Sequence, residues 1–125
     1  MEMLTNAVNW FEIPVTDFAR AKQFYSTIYD YEMPEYEMGP IKMGILLYEQ
    51  SQGVGGAICY GEGYEPSDKG TKVYLNGGSD LNVVLSRVPG AGGSIIMEKT
   101  SIGENGYMAL FHDTEGNLVA LHSMQ

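Results

Sequence analysis

At 125 residues the chain fits one domain, long enough to bury a core without disulfides or metals. A hydrophobic content of 44% with several strand-like runs argues against disorder. The net charge of −9, from 16 acidic against 7 basic residues, repels phosphate backbones and anionic membranes, so neither nucleic acid nor lipid is an expected partner. No apolar stretch approaches the roughly 20 residues that span a bilayer. Met1 to Asn6 lacks the basic start and apolar core of a signal peptide, and the expected location is the cytoplasm. Cys59 is the only cysteine and lies in the strand-like run Gly56-Ala57-Ile58-Cys59-Tyr60, where a small apolar core residue is the expected role.

Along the chain, Asn6 to Val15 reads as a strand with Trp10, Glu12 and Pro14 on one face and Phe11 and Ile13 on the other. Asp17 is a candidate N-cap. Phe18, Ala21, Tyr25 and Ile28 then recur at helical spacing, and the helix is expected to end near Asp30. Tyr31 to Tyr36 is a short strand interrupted by Pro34, and Ile41 to Tyr48 is a stronger one. Gly53 to Gly56 leads into a strand ending near Tyr60. Gly61 to Gly70 is rich in glycine and charge and reads as a connection. The second half starts at Thr71. Ser79 or Asp80 caps a second helix with Leu81, Val84, Leu85 and Val88 at i, i+3, i+4 and i+7, stopped by Pro89-Gly90. Three strands follow, Ser94 to Thr100, Tyr107 to His112 and Leu118 to Ser123, the last two joined by the turn Asp113-Thr114-Glu115-Gly116-Asn117.

The order is βαβββ twice: a first module over about 6–61, a linker over about 62–70 and a second module over about 71–125. An open sheet of this kind leaves one face to cover and edges to protect. The expected fold is α+β, with the modules side by side in one curved eight-stranded sheet, both helices outside and a concave groove inside. Such a groove is a natural small-molecule site.

Phe11-Glu12-Ile13-Pro14, with Asp17 leading into Ala21 to Tyr25, resembles the opening of a glyoxalase/bleomycin-resistance/extradiol-dioxygenase domain, the vicinal oxygen chelate superfamily. The tail Phe111 to Leu118 resembles its closing turn, with Thr114 where proline is usual. The resemblance covers essentially the whole chain and implies the paired βαβββ cup, commonly built into a homodimer. It also implies that metal-dependent members place His, Gln or Glu ligands on inward-facing strand positions. The positions of this chain that match are Trp10, Tyr74 and Ala120, and the equivalent strand of the first half offers Gly56, Ala57 and Ile58. Indole and alkyl groups cannot coordinate such a cation and a neutral phenol is a poor ligand, so no cofactor is expected and the usual Lewis-acid chemistry is missing.

By alternation Glu12 shares the face of Trp10, Asn76 that of Tyr74, and His122 that of Ala120. Glu12 and His122 with Asn76 could therefore form a displaced metal-free ligand or acid/base site, or a thin divalent-metal site. Solvated strand-end residues are the plainer reading of the same pair. His112 is expected to play a structural role beside Asp113. Trp10 is either core or, with Tyr74, an aromatic wall for a planar or cationic ligand. Met33, Met38, Met43, Met97 and Met108 are either core filling or an adaptable lining. Two functions follow. One is metal-free binding of a small aromatic or cationic molecule by a homodimer. The other is an enzyme related to lactoylglutathione lyase or the dioxygenases, working through Glu12 and His122. A ligand-free dimerisation or regulatory module is a third reading.

Overall fold

In a computed structural model, which describes residues 1–125, the chain forms β1 (Trp10–Pro14), α1 (Phe18–Tyr29), β2 (Glu35–Met38), β3 (Ile41–Ile45) and β4 (Gly55–Tyr60). The pattern then repeats as β5 (Tyr74–Asn76), α2 (Asn82–Leu85), β6 (Ser94–Ser101), β7 (Tyr107–His112) and β8 (Leu118–Ser123). A single 3-10 turn, Gly103–Asn105, stands between β6 and β7. The βαβββ order is thus present twice, in an α+β fold.

α1 begins where Asp17, in extended conformation, accepts the Arg20 N–H at 3.1 Å. It ends at Asp30, whose left-handed backbone turns its N–H back onto Ser26 and Thr27. Its apolar stripe of Phe18, Ala21, Phe24, Tyr25 and Ile28 is buried as the spacing predicts. The second helix is shorter than expected. Only Asn82–Leu85 is α-helical, and Arg87 and Val88 continue it as tight turns bonded three residues back to Val84 and Leu85. Asp80 does not cap it in the usual way. Its carboxylate accepts the Asn82 N–H at 2.9 Å and pairs with Lys99 at 3.0 Å. Adjacent β-branched Val83 and Val84 and the following Pro89 leave little room for a second turn. Leu81, Val84, Leu85 and Val88 are nevertheless all buried. Burial, more than helix length, is what their spacing encoded.

The strands form two four-stranded sheets, ordered β1-β4-β3-β2 and β5-β8-β7-β6, rather than the single eight-stranded sheet expected. In each, the first strand runs parallel to the last and the remaining pairs are antiparallel. No ladder joins β1 to β5, although both strands turn backbone groups toward the seam between them. Val15 donates its N–H to Cys59, so by alternation Trp10, Glu12 and Pro14 turn their backbone groups away from β4 and toward the seam. Gly77 bonds His122 and Val73 accepts from Ala120, which turns Tyr74 and Asn76 toward the same seam. Side chains satisfy part of these two edges. Asn117 Nδ2 donates to the Pro14 carbonyl at 2.8 Å, and the Tyr29 hydroxyl donates to the Asn76 carbonyl at 2.7 Å.

One core spans both sheets. Ile13, Ile58, Phe111, Val119 and Leu121 pack with the buried stripes of both helices, and Phe24 meets Phe111 across the halves with ring centroids 5.8 Å apart. Each large side chain so buried contributes about 1.5–3 kcal/mol. The closing turn locks the join. Asp113 accepts from the buried Tyr25 hydroxyl at 2.8 Å and from Asn117 Nδ2 at 2.9 Å. Its other oxygen takes the Glu115 and Asn117 N–H groups.

Candidate functional site

Strand alternation puts Trp10 and Tyr74 on the faces of their sheets that the helices do not cover. Trp10 is 38% and Tyr74 50% exposed, whereas their neighbours Ile13 and Leu75 are buried, which separates wall from core. Both rings line one cavity of about 790 Å³ at the end of the β1/β5 seam. That cavity reaches down to Phe11 and Leu75 and is bordered by Asn76 and Tyr29. Its volume is that of a small-molecule site.

Two glycines shape its wall. Gly55 lies in register with Trp10, and a Cβ there would come within 2.3 Å of the Tyr48 ring. A Cβ on Gly56 would come within 2.4 Å of the Phe11 ring. Because Gly55 lacks a side chain, Tyr48 lies over the strand backbone there and stands edge-on to Trp10, with ring centroids 6.3 Å apart and planes at 76°. Tyr29, at the end of α1, has its phenol pushed well up by burial and then by Tyr31, so it serves as a donor to Asn76.

The other candidates separate. Glu12 lies away from Trp10's cavity, in a smaller one of about 270 Å³, and accepts the Tyr64 hydroxyl at 2.7 Å. That bond, with burial second, pushes the Tyr64 phenol up to about 12. Beneath it the buried Cys59 thiol is pushed up to about 12 by burial and then by the Glu12 charge, which makes it an unreactive core residue. His122 lines a third cavity, shared with Tyr74, Asn76, Ile102, Met108 and Met124. Its Nε2 lies 2.6 Å from the Asn105 carbonyl. The expected Glu12/His122 pair is thus not assembled, because the two residues sit on different sheets at opposite sides of the seam and each is engaged by its own loop. Asn76 does adjoin His122 in register, but its side-chain oxygen is occupied by the Gly78 N–H at 2.8 Å.

Ala120 offers no surface at all. It is fully buried between Tyr74 on β5 and Leu110 on β7, so it cannot line a groove. His112 is half-buried and makes no hydrogen bond to Asp113, whose partners are Tyr25, Asn117 and turn backbone. Among the methionines, Met33 and Met43 are core, Met38 and Met97 are exposed, and Met108 borders the His122 cavity. No group of three or more His, Cys, Asp or Glu side chains converges anywhere. With an indole at Trp10 and a buried methyl at Ala120, this donor set does not fit a divalent cation. No helix is long and apolar enough to cross a membrane.

No family model matches the sequence. A glyoxylase-like domain-containing protein of Didymella fabae is 30% identical over 125 residues, covering 95% of this chain and 94% of that protein. The chain belongs to the glyoxylase-like domain family. A Mycobacterium bovis protein bearing the name glyoxylase CFP32 is 26% identical over 117 residues, and the chain spans only 44% of its length. Solved structures place the family in the glyoxalase/bleomycin-resistance/dioxygenase fold. A family enzyme from Burkholderia phytofirmans superposes with a TM-score of 0.67 at 13% identity, over 94% of this chain and 98% of that one. TnmS3, an antibiotic binding protein from a Streptomyces species, gives 0.66 at 18% identity, over 99% and 100%. The fosfomycin resistance protein FosX of Listeria monocytogenes gives 0.64 at 17%, over 98% and 94%.

Within this glyoxylase-like cup, sequence reasoning missed Tyr48, Tyr29, Glu49 and Lys72 as cavity residues. Tyr48 and Glu49 follow the end of β3, where strand parity says nothing of direction. The usable signal was the glycine cluster Gly53, Gly55 and Gly56, which marks a backbone that something approaches closely.

Proposed function

We propose that this glyoxylase-like protein binds a small aromatic or cationic organic molecule in the seam cavity, without a metal ion. The observation that carries the reading is the pair of partly exposed rings, Trp10 and Tyr74, facing one cavity of about 790 Å³ at the join of the two modules. Side chains that are free of core duty and line a cavity are available for stacking or cation–π contact. Trp10, Tyr74 and Ala120 stand where the resemblance implies metal ligands, and their chemistry supports a metal-free mode. Proteins that share the fold include one described as antibiotic binding. Assembly into a homodimer belongs to the same proposal.

The test is a ligand screen by thermal shift, with Trp10, the only tryptophan, as a fluorescent reporter. A ligand at about 100 times its Kd should stabilise the fold by about 2.7 kcal/mol. Trp10→Ala should remove that stabilisation while the apo protein stays folded. Binding undiminished in Trp10→Ala would overturn the assignment of the site.

Glu12 and His122 border separate cavities, which favours the binding reading over a catalytic role of the two together. For the enzymatic reading the nearest acid/base pair is Glu12, which borders the smaller cavity, with Tyr64, whose hydroxyl it accepts at 2.7 Å.

A further inference from the structure

The seam cavity is lined by two charged side chains, Glu49 and Lys72. Neither takes part in an ion pair. The salt bridges of the molecule join Arg20 to Glu115, Lys22 and Lys42 to Glu35, and Lys99 to Asp80. Glu49 and Lys72 also do not reach each other within 4.0 Å. Two residues of opposite charge therefore border one largely apolar cavity without pairing with each other. The Ser51 hydroxyl and N–H both donate to Glu49 Oε1, at 2.8 and 3.2 Å, and hold this carboxyl below its usual range. Glu49 is thus an anion at neutral pH.

The aromatic wall adds direction. Tyr48 immediately precedes Glu49 and meets Trp10 edge to face at 76°, so the two rings make a corner in the wall of the cavity that Glu49 also borders. An ammonium group is attracted to ring faces and to a carboxylate together. A ligand carrying only a positive charge would gain from Glu49 and the rings but be repelled by Lys72. A ligand carrying only a negative charge meets the reverse. One molecule with both charges satisfies both groups at once.

We propose that the seam cavity takes a zwitterionic small molecule, its ammonium group in the Trp10–Tyr48 corner beside Glu49 and its acid group on Lys72. This inference rests on the small-molecule reading above and narrows its ligand class. Gly55 is then the position that sets specificity, because only a residue without a side chain lets Tyr48 close the corner.

Calorimetric titration of the full chain tests it with four probes: trimethylammoniobutyrate, tetramethylammonium, butyrate and the neutral aromatic benzamide. The zwitterion should bind at least about tenfold more tightly than either singly charged probe. Lys72→Met should reduce its affinity to that of tetramethylammonium, and Glu49→Gln to that of butyrate. Both residues are exposed, so the variants should fold, which far-ultraviolet circular dichroism checks. Equal affinity for the zwitterion and a singly charged probe, or indifference to Lys72→Met, overturns the inference. If benzamide binds in a Trp10-dependent way and the zwitterion does not, the cavity reading stands and the zwitterion falls. If none of the four binds, both fall.

Discussion

Replacing Glu115 by glutamine should weaken the join between the two modules in a way that depends on pH. The Glu115 side chain, from the closing turn of the second half, is fully covered and reaches the start of α1 in the first. It accepts the Thr16 and Asp17 N–H groups at 3.0 and 2.8 Å and Arg20 Nε at 2.7 Å. The open end of a helix favours an anion there. Burial opposes ionisation of this carboxyl, but the Arg20 bond and the Asp17, Thr16 and Thr114 donors outweigh it and hold it at about 2, against an ordinary 4.5. At about 1.4 kcal/mol per pH unit, that drop corresponds to about 3 kcal/mol. Arg20 is 51% exposed, so solvent screening reduces the expected contribution to about 1–2 kcal/mol.

Because the folded value is depressed, this stability is complete above pH 4.5 and is lost as pH falls through about 2. Glutamine carries none of it. Urea unfolding of wild type and Glu115→Gln should therefore differ by about 1–2 kcal/mol at neutral pH. The gap should be roughly half closed near about pH 3. Taking the difference between the two proteins removes the other carboxylates from the comparison. A gap that is constant from neutral to acid pH, or absent at neutral pH, would refute the electrostatic clamp.

Two further substitutions probe the frame around the cavity. Tyr25→Phe removes the buried donor to Asp113 and should cost about 1–3 kcal/mol in urea unfolding with an unchanged m-value; a cost below about 0.5 kcal/mol would mean that Asn117 alone satisfies the carboxylate. Gly106→Ala adds a Cβ 2.4 Å from the Ser123 carbonyl at a φ of 101° and should cost about 2–4 kcal/mol, whereas Gly103→Ala, also left-handed but in open space, should cost about 1 kcal/mol. Equal midpoints for these two variants in thermal unfolding would show that the close approach at Gly106 relaxes freely.

Much of the fold was legible because its signals are local. The Asp17 cap, the Phe18 to Ile28 stripe and the alternation in β1 all lie within one element, and each stands where pattern places it. The length of α2 was misjudged because the Leu81 to Val88 spacing reports which face is buried, and tight turns can bury that face as well as an α-helix can. The site was legible only in part. Trp10 and Tyr74 reach a common cavity, as a shared open face implies. Glu12 and His122 also lie on open faces, yet Tyr64 and Asn105 draw them into separate places, and neither of those loop residues is near its partner in sequence.

The sequence by itself determined the repeated βαβββ order and the side of each strand that meets the helices, since both follow from periodicity within short segments. Tertiary structure alone decided that the two sheets remain separate at β1 and β5. At that seam Asn117 and Tyr29 donate to the Pro14 and Asn76 carbonyls from a distance of many residues. It also decided the character of the seam cavity. The corner of Trp10 and Tyr48 exists because Gly55 yields its space to a ring from a neighbouring loop. The approach of Glu49 and Lys72 to one cavity is likewise a consequence of packing two halves together, and no periodicity in either half encodes it.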